Sequence, residues 1–296
     1  MKERSQHFDP RQNMRSKSFE IFHYKEPKPN AVEVHHHDFY EVYFFLNGEV
    51  DYWVDGRIFH LLPGDLLLIN PMELHRPVVK ADSPLYERIV LWIDTDFLKN
   101  LSGESTELAR CFDITIPSHT NLLRLSPADR ALFTTKLGDL VHESYSDNFG
   151  SALAAKGLFM QFMVELNRLA ISYSFSPKTT GNTHGAGSAG APAEMSPLIS
   201  QVLSYINVHY GKSISLDDLS ARFFVSKYHL SHEFTKAVGT GLYRYLTLKR
   251  LLIARQMLSE GTPPGEVYGK CGFKDYTNFF RAFKAEYGIS PSACMQ

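Results

Sequence analysis

Apolar residues in the first third of the chain fall in short runs broken by turn signals. Residues 41–46, 49–54, 57–62 and 66–69 are rich in β-branched and aromatic side chains, and Asn47-Gly48, Asp55-Gly56, Pro63-Gly64-Asp65 and Asn70-Pro71 punctuate them. Asn-Gly and Asp-Gly predict two-residue hairpins, because both centre positions of a type I′ turn need positive φ. Residues 86–93 add a later strand. Short antiparallel strands at this spacing predict a small barrel or jelly roll. Strand alternation puts Tyr43 and Phe45 in phase with Glu41, and Arg88 in phase with Trp92.

The period then changes. Residues 94–125 show no clear pattern, after which Ser126 caps and Pro127 opens a helix predicted to run to about Tyr145. A second helix runs from about Ser151 to Ile171. Leu158, Phe162, Glu165 and Leu169 share one face, and Leu153, Met160, Met163, Val164 and Leu166 spread over the remainder. So wide an apolar circumference needs cover on several sides. The barrel supplies part of it, and a helix from a second copy is the favoured source of the rest. Residues 173–196 are Gly/Ala/Ser/Thr-rich without period and read as a flexible linker with a reach of roughly 25 Å. Beyond it the period is helical to the end. Ile199, Val202, Leu203 and Ile206 mark one core face, Ser215 with Asp218 forms an acidic capping box, and Ser226 caps a helix with Leu230 and Phe234 inside. Cys271-Gly272 ends a short helix and Asp275 caps the next, which carries Phe279 and Phe283 inward and Asn278, Arg281 and Lys284 close to one side. The expected fold has two domains. An all-β barrel or jelly-roll half with trailing helices (18–172) precedes the linker (173–196) and an all-α half (197–296).

Charge sharpens that division. The formal net charge of the 296 residues is −1, but from Pro197 onward twelve Lys+Arg face seven Asp+Glu, while the remainder has 19 basic against 25 acidic residues. A basic C-terminal half beside an acidic one fits a nucleic-acid reader joined to a sensor. Three scattered cysteines suit a reducing compartment, the N-terminus is polar, and no apolar run approaches the roughly 20 residues of a membrane span. A soluble cytoplasmic protein without membrane partners is expected.

A short helix, a tight turn and a helix with amide, guanidinium and ammonium groups on one side is what major-groove reading requires. Gly272-Phe273, Phe279, Arg281, Phe283-Lys284 and Gly288-Ile289-Ser290-Pro291 resemble the second helix-turn-helix of the AraC/XylS transcription regulators. Leu216 to Ser231, followed by Phe234 and Gly239, resembles the first, and Tyr245-Leu246, Arg250-Leu251, Ala254 and Met257-Leu258 resemble the helix that joins the two. The resemblance implies double-stranded DNA as partner, RNA polymerase too if the protein activates, a homodimer and a small-molecule effector. It places Lys227, Tyr228, Ser231, His232 and Lys236 of the first unit, and Thr277, Asn278, Arg281 and Lys284 of the second, at the DNA. His232 stands where the family more often has Arg, and Tyr268 where a small residue packs.

Within the strand region, His35-His36-His37-Asp38-Phe39-Tyr40-Glu41 with Gly48, then Glu73-Leu74-His75, resembles the two cupin motifs. In a metal cupin the matching His35, His37, Glu41 and His75 would bind a divalent ion, a donor set that suits Fe, Mn, Ni or Zn. The same residues with Tyr43, Arg88 and Trp92 could instead line a pocket for a small organic effector such as a sugar, or the histidines could be structural. The expectation is a ligand-responsive transcription regulator, an activator and not an enzyme, with no certain cofactor. The alternative is a metal-dependent cupin enzyme or metal sensor fused to a DNA-binding module.

Overall fold

Alternating strands need two surfaces to cover, and this chain covers both. The computed structural model describes residues 13–27, 31–80, 83, 85–103, 105–175 and 195–295; residues 1–12 and most of the expected linker lie outside them. Strands β1 (Phe19–Glu26), β2 (Phe39–Asn47), β5 (Asp65–Ile69), β7 (Tyr86–Asp94) and β8 (Leu122–Arg124) form one antiparallel sheet in the order β1-β7-β2-β5-β8. β3 (Val50–Val54), β4 (Arg57–His60) and β6 (His75–Val79) form a second, ordered β4-β3-β6. Tyr43, Phe45, Tyr52, Tyr86 and Trp92 fill the space between the sheets. The other face of the larger sheet, with Val42, Phe44, Leu68 and Leu91, packs on α2 (Pro127–Ser144) and α3 (Ser151–Phe175) through Phe133, Leu137, Phe159 and Phe162.

Local chemistry explains most boundaries. Asp55 (φ 44°) and Gly56 (φ 95°) form the type I′ hairpin expected of Asp-Gly. β2 and β3 lie in different sheets, so the expected two-residue hairpin at Asn47-Gly48 does not form; only Gly48 has positive φ there, and the register of β2 on β7 shifts between Phe45 and Asn47. β6, β8 and α1 (Thr95–Leu101) carry no period that announces them. Pro77 interrupts β6, and the other two are too short. Ser126 Oγ accepts from Asp129 N at 3.2 Å, as a cap should. α3 continues through Phe175, into the stretch expected as linker.

The C-terminal half is helical: α4 (Pro197–His209), α5 (Leu216–Arg222), α6 (Lys227–Val238), α7 (Leu242–Ser259), α8 (Pro264–Lys270) and α9 (Tyr276–Tyr287). α5–α6 and α8–α9 are the two helix-turn-helix units, with α7 between them. The two halves do not keep separate cores. Val34, Trp53 and Leu74 of the barrel join Ile199, Val202, Leu203, Phe234 and Tyr245 in one cluster. Lys249 Nζ, almost buried, meets Asp55 Oδ2 across the same junction at 2.8 Å.

Candidate functional site

The histidine-rich segment enters the barrel beside β6, because His35 and His75 exchange backbone hydrogen bonds of 3.1 and 2.9 Å. Three imidazoles are then fixed the same way. Nδ1 lies 2.8 Å from Glu33 O in His35, 2.8 Å from Phe39 O in His37 and 3.0 Å from Glu73 O in His75. A carbonyl only accepts, so Nδ1 carries a proton in each, and in the uncharged rings of His35 and His75 Nε2 is left as a lone-pair donor. The Nε2 atoms of His37 and His75 are buried without a hydrogen-bond partner among the described residues. Burial holds His75 well below its ordinary pKa and lowers His35 to about 4, so both rings are uncharged at neutral pH.

Glu41 faces these rings. Its Oε1 accepts from Tyr52 OH at 3.2 Å and its Oε2 from Trp92 Nε1 at 2.9 Å, and His37 Nε2 lies 3.5 Å from Oε2. Burial pushes the carboxyl up, but the His37 contact and the neighbouring imidazoles outweigh it, and its pKa lies below the ordinary value. His37 Nε2 and the Glu41 carboxylate thus face one another inside the barrel, with His75 beside them. One ligand atom from each of His37, Glu41 and His75 lies within 4.8 Å of the others. Two imidazole nitrogens and one carboxylate oxygen, each oriented by a second hydrogen bond, fit a divalent first-row metal. Of the four expected ligands the structure brings these three together. His35 stands beside them, its ring 4.4 Å from that of His75.

Of the expected organic-ligand residues, Tyr43, Arg88 and Trp92 are already engaged. Tyr43 OH bonds Tyr86 OH at 2.6 Å, and Arg88 pairs with Glu26 at 2.7 Å beneath the rings of Tyr24 and Tyr86. A sugar-sized molecule must open this network, whereas an ion meets free nitrogens as they stand. Tyr24, Tyr52 and Tyr86 escaped the sequence reading. Strand alternation was the signal that could have found Tyr52 and Tyr86.

The segment has an outer side as well. Asp38 Oδ2 pairs with Arg255 of α7 at 2.5 Å, and His36 Nε2 lies 3.6 Å from Glu286 of α9. Burial pushes His36 down to about 3, so that approach is to a neutral ring and is not an ion pair.

The expected DNA readers lie on the two second helices. Ser226 Oγ caps α6 through His229 N at 3.2 Å, and Asp275 caps α9 through Asn278 N at 2.8 Å. Lys227, Tyr228, Ser231, His232, Lys236, Thr277, Asn278, Arg281 and Lys284 are all exposed. Tyr228 and His232 stack in parallel at 6.2 Å. Lys227 pairs with Asp217, and Asn278 donates to Asp275 at 2.6 Å, so these two are engaged at home. Phe224, unnoticed in the sequence, occupies the turn before α6 at φ 55° and is 95% exposed.

Comparison with known proteins adds to this geometry. A family model described as an AraC-like ligand binding domain matches residues 18–163, and one described as a helix-turn-helix domain matches residues 219–296. Over 264 residues, 88% of each chain, the sequence is 26% identical to the HTH-type transcriptional activator RhaS of Yersinia pestis (strain Pestoides F). It is 25% identical over 244 residues to the uncharacterized HTH-type transcriptional regulator YbfI of Bacillus subtilis, covering 82% of this chain and 80% of that one. Among solved structures it is similar to unsaturated fatty acid bound ToxT of Vibrio cholerae, with 12% identity, a TM-score of 0.39 and coverage of 95% of this chain and 97% of that one.

Proposed function

This chain belongs to the AraC family of transcription regulators, with an AraC-like ligand-binding domain and a DNA-binding helix-turn-helix domain, and from that premise we propose how its halves divide the work. Residues 197–296 read duplex DNA with α6 and α9. Arg281 takes a guanine edge, Thr277, Asn278, Tyr228, Ser231 and His232 take neighbouring bases, and Lys227, Lys236 and Lys284 take phosphates. The observation that carries this is the pair of capped helices whose polar faces stay exposed while their apolar faces are buried. The protein is an activator that works with RNA polymerase in the cytoplasm, a role that the name of its RhaS relative supports. It regulates rather than catalyses, and no helix among the described residues is long and apolar enough to cross a membrane. Residues 18–172 sense a small effector in the barrel and dimerise, and 173–196 link the halves.

For the effector, the aromatic and polar interior suits a sugar or related metabolite once its hydrogen-bond network opens. A second reading has its own observation, the unpartnered Nε2 atoms of His37 and His75. There His37, Glu41 and His75, with His35 adjacent, hold a divalent metal that supplies positive charge between the imidazoles and the carboxylate. The test of the DNA function is selection from a random duplex pool by the full chain. A shared motif of repeated half-sites is expected, and recovery of no shared sequence would overturn the proposal. Elemental analysis of the purified protein, with thermal shift against sugars and against metals, decides the effector. A bound ligand at 100 times its dissociation constant adds about 2.7 kcal/mol.

A further inference from the structure

Residues 35–38 lead into β2 with their side chains alternating between two environments. His35 and His37 flank Glu41 and His75 inside the barrel mouth. His36 and Asp38 turn the other way, onto the DNA-binding half. The His36 ring is only 6% exposed and packs edge-on against Tyr287 of α9 at 5.5 Å. Glu286, its other neighbour, is held by Arg244 of α7 at 2.9 Å. The Arg255 guanidinium that grips Asp38 also lies 4.8 Å over the Tyr287 ring. The inner and outer contacts are thus one peptide bond apart. Backbone hydrogen bonds from His35 to His75 tie the segment to β6.

We infer that residues 35–38 are a strap that reports filling of the His37–Glu41–His75 site to the second helix-turn-helix unit. The inference rests on the metal reading of the barrel. A first-row ion would hold nitrogen and oxygen donors at about 2 Å, so donors on one ion lie no more than about 4 Å apart. The three residues now spread their donors over as much as 4.8 Å. Binding therefore draws the His37, Glu41 and His75 donors together, and a shift of His37 pulls on His36 and Asp38 at either side of it. Packed contacts respond by switching arrangement and not by stretching. The contacts that switch are Asp38–Arg255 and His36–Tyr287, which set how α9 is held against the barrel. By linkage, DNA that favours one setting changes ion affinity by the same factor.

The experiment is hydrogen exchange on the full chain, freed of metal by chelation, with and without Zn²⁺. In the wild type the ion should slow exchange in residues 35–41 and shift exchange in α9 by about fivefold or more, the low end of an allosteric coupling. His75→Gln should abolish both responses, which separates this site from adventitious zinc. Arg255→Ala with Glu286→Ala leaves the strap's own sequence intact. It should keep the barrel response and lose that of α9. An α9 response that persists in this double variant, or is missing in a wild type whose barrel responds, overturns the strap. No barrel response in the wild type overturns the metal reading instead. The strap is then judged without ion on Glu41→Gln: altered α9 exchange that the double variant cancels supports it with another trigger, and unaltered exchange overturns it.

Discussion

Arg281 is exposed on α9, and α9 is oriented by its cap and by Phe279 and Phe283 beneath it. Arg281→Ala should cost about 1–3 kcal/mol of operator binding and relax preference at one base pair, read by competition with single-site operator variants. Lys284→Ala should weaken all sequences alike and lower the salt slope by about one unit in a titration of affinity against salt. Inside the barrel, His75→Gln keeps a side-chain donor for Glu73 O but removes one of the proposed metal ligands. It should abolish stoichiometric metal in elemental analysis while leaving the circular dichroism spectrum unchanged. The positions of these side chains, exposed on α9 and buried in the barrel, were legible because cupin-like and helix-turn-helix spacings are local. The tautomers were not, since they depend on carbonyls placed by the fold.

At the scale of elements, two glycines of the second helix-turn-helix should respond in opposite senses to the same methyl group. Gly269 lies within α8 and a Cβ there meets nothing within 4 Å. Gly269→Ala should stabilise by about 0.5–1 kcal/mol, the ordinary helix preference. Gly272 ends that helix at φ 82°, where a Cβ would lie 2.8 Å from Tyr210 O. Gly272→Ala should destabilise by about 1–3 kcal/mol. Urea melts of the two variants check both signs. The element pattern was readable wherever caps and periodicity agreed, as at Ser126, Ser215, Ser226 and Asp275. It failed at β8 and α1, which owe their form to the sheet and loops they pack on.

Two surfaces matter at the scale of the whole molecule. Leu153 is 76% exposed and Met160 45% exposed on α3, while Phe159, Phe162 and Leu166 of that helix face the sheet. If α3 pairs with a second copy, Leu153→Glu with Met160→Glu should give a folded monomer by light scattering. An unchanged mass would end the dimer proposal for this face. Trp53 is 1% exposed, turned outward from the barrel into the helical half, with its ring 6.1 Å from that of Tyr245. Trp53→Ala removes the largest barrel side chain in that junction and should cost about 3–5 kcal/mol. It should loosen the docking of the halves, seen as a larger radius in solution scattering with secondary structure retained.

Taken alone, the sequence determined the two halves, their fold classes and the family. Each of those is written in periodicity, caps and motif spacing over short stretches. It also placed His37, Glu41 and His75 together, because the cupin-like motifs mark positions that face each other between the two sheets. The alternation that sends His35 and His37 inward was equally present in the sequence. That His36 and Asp38 meet α7 and α9 was not, since the contact joins residues more than 200 apart. The shared core around Trp53 was hidden for the same reason. An amphipathic strand shows that one face is buried, but only packing shows what buries the other.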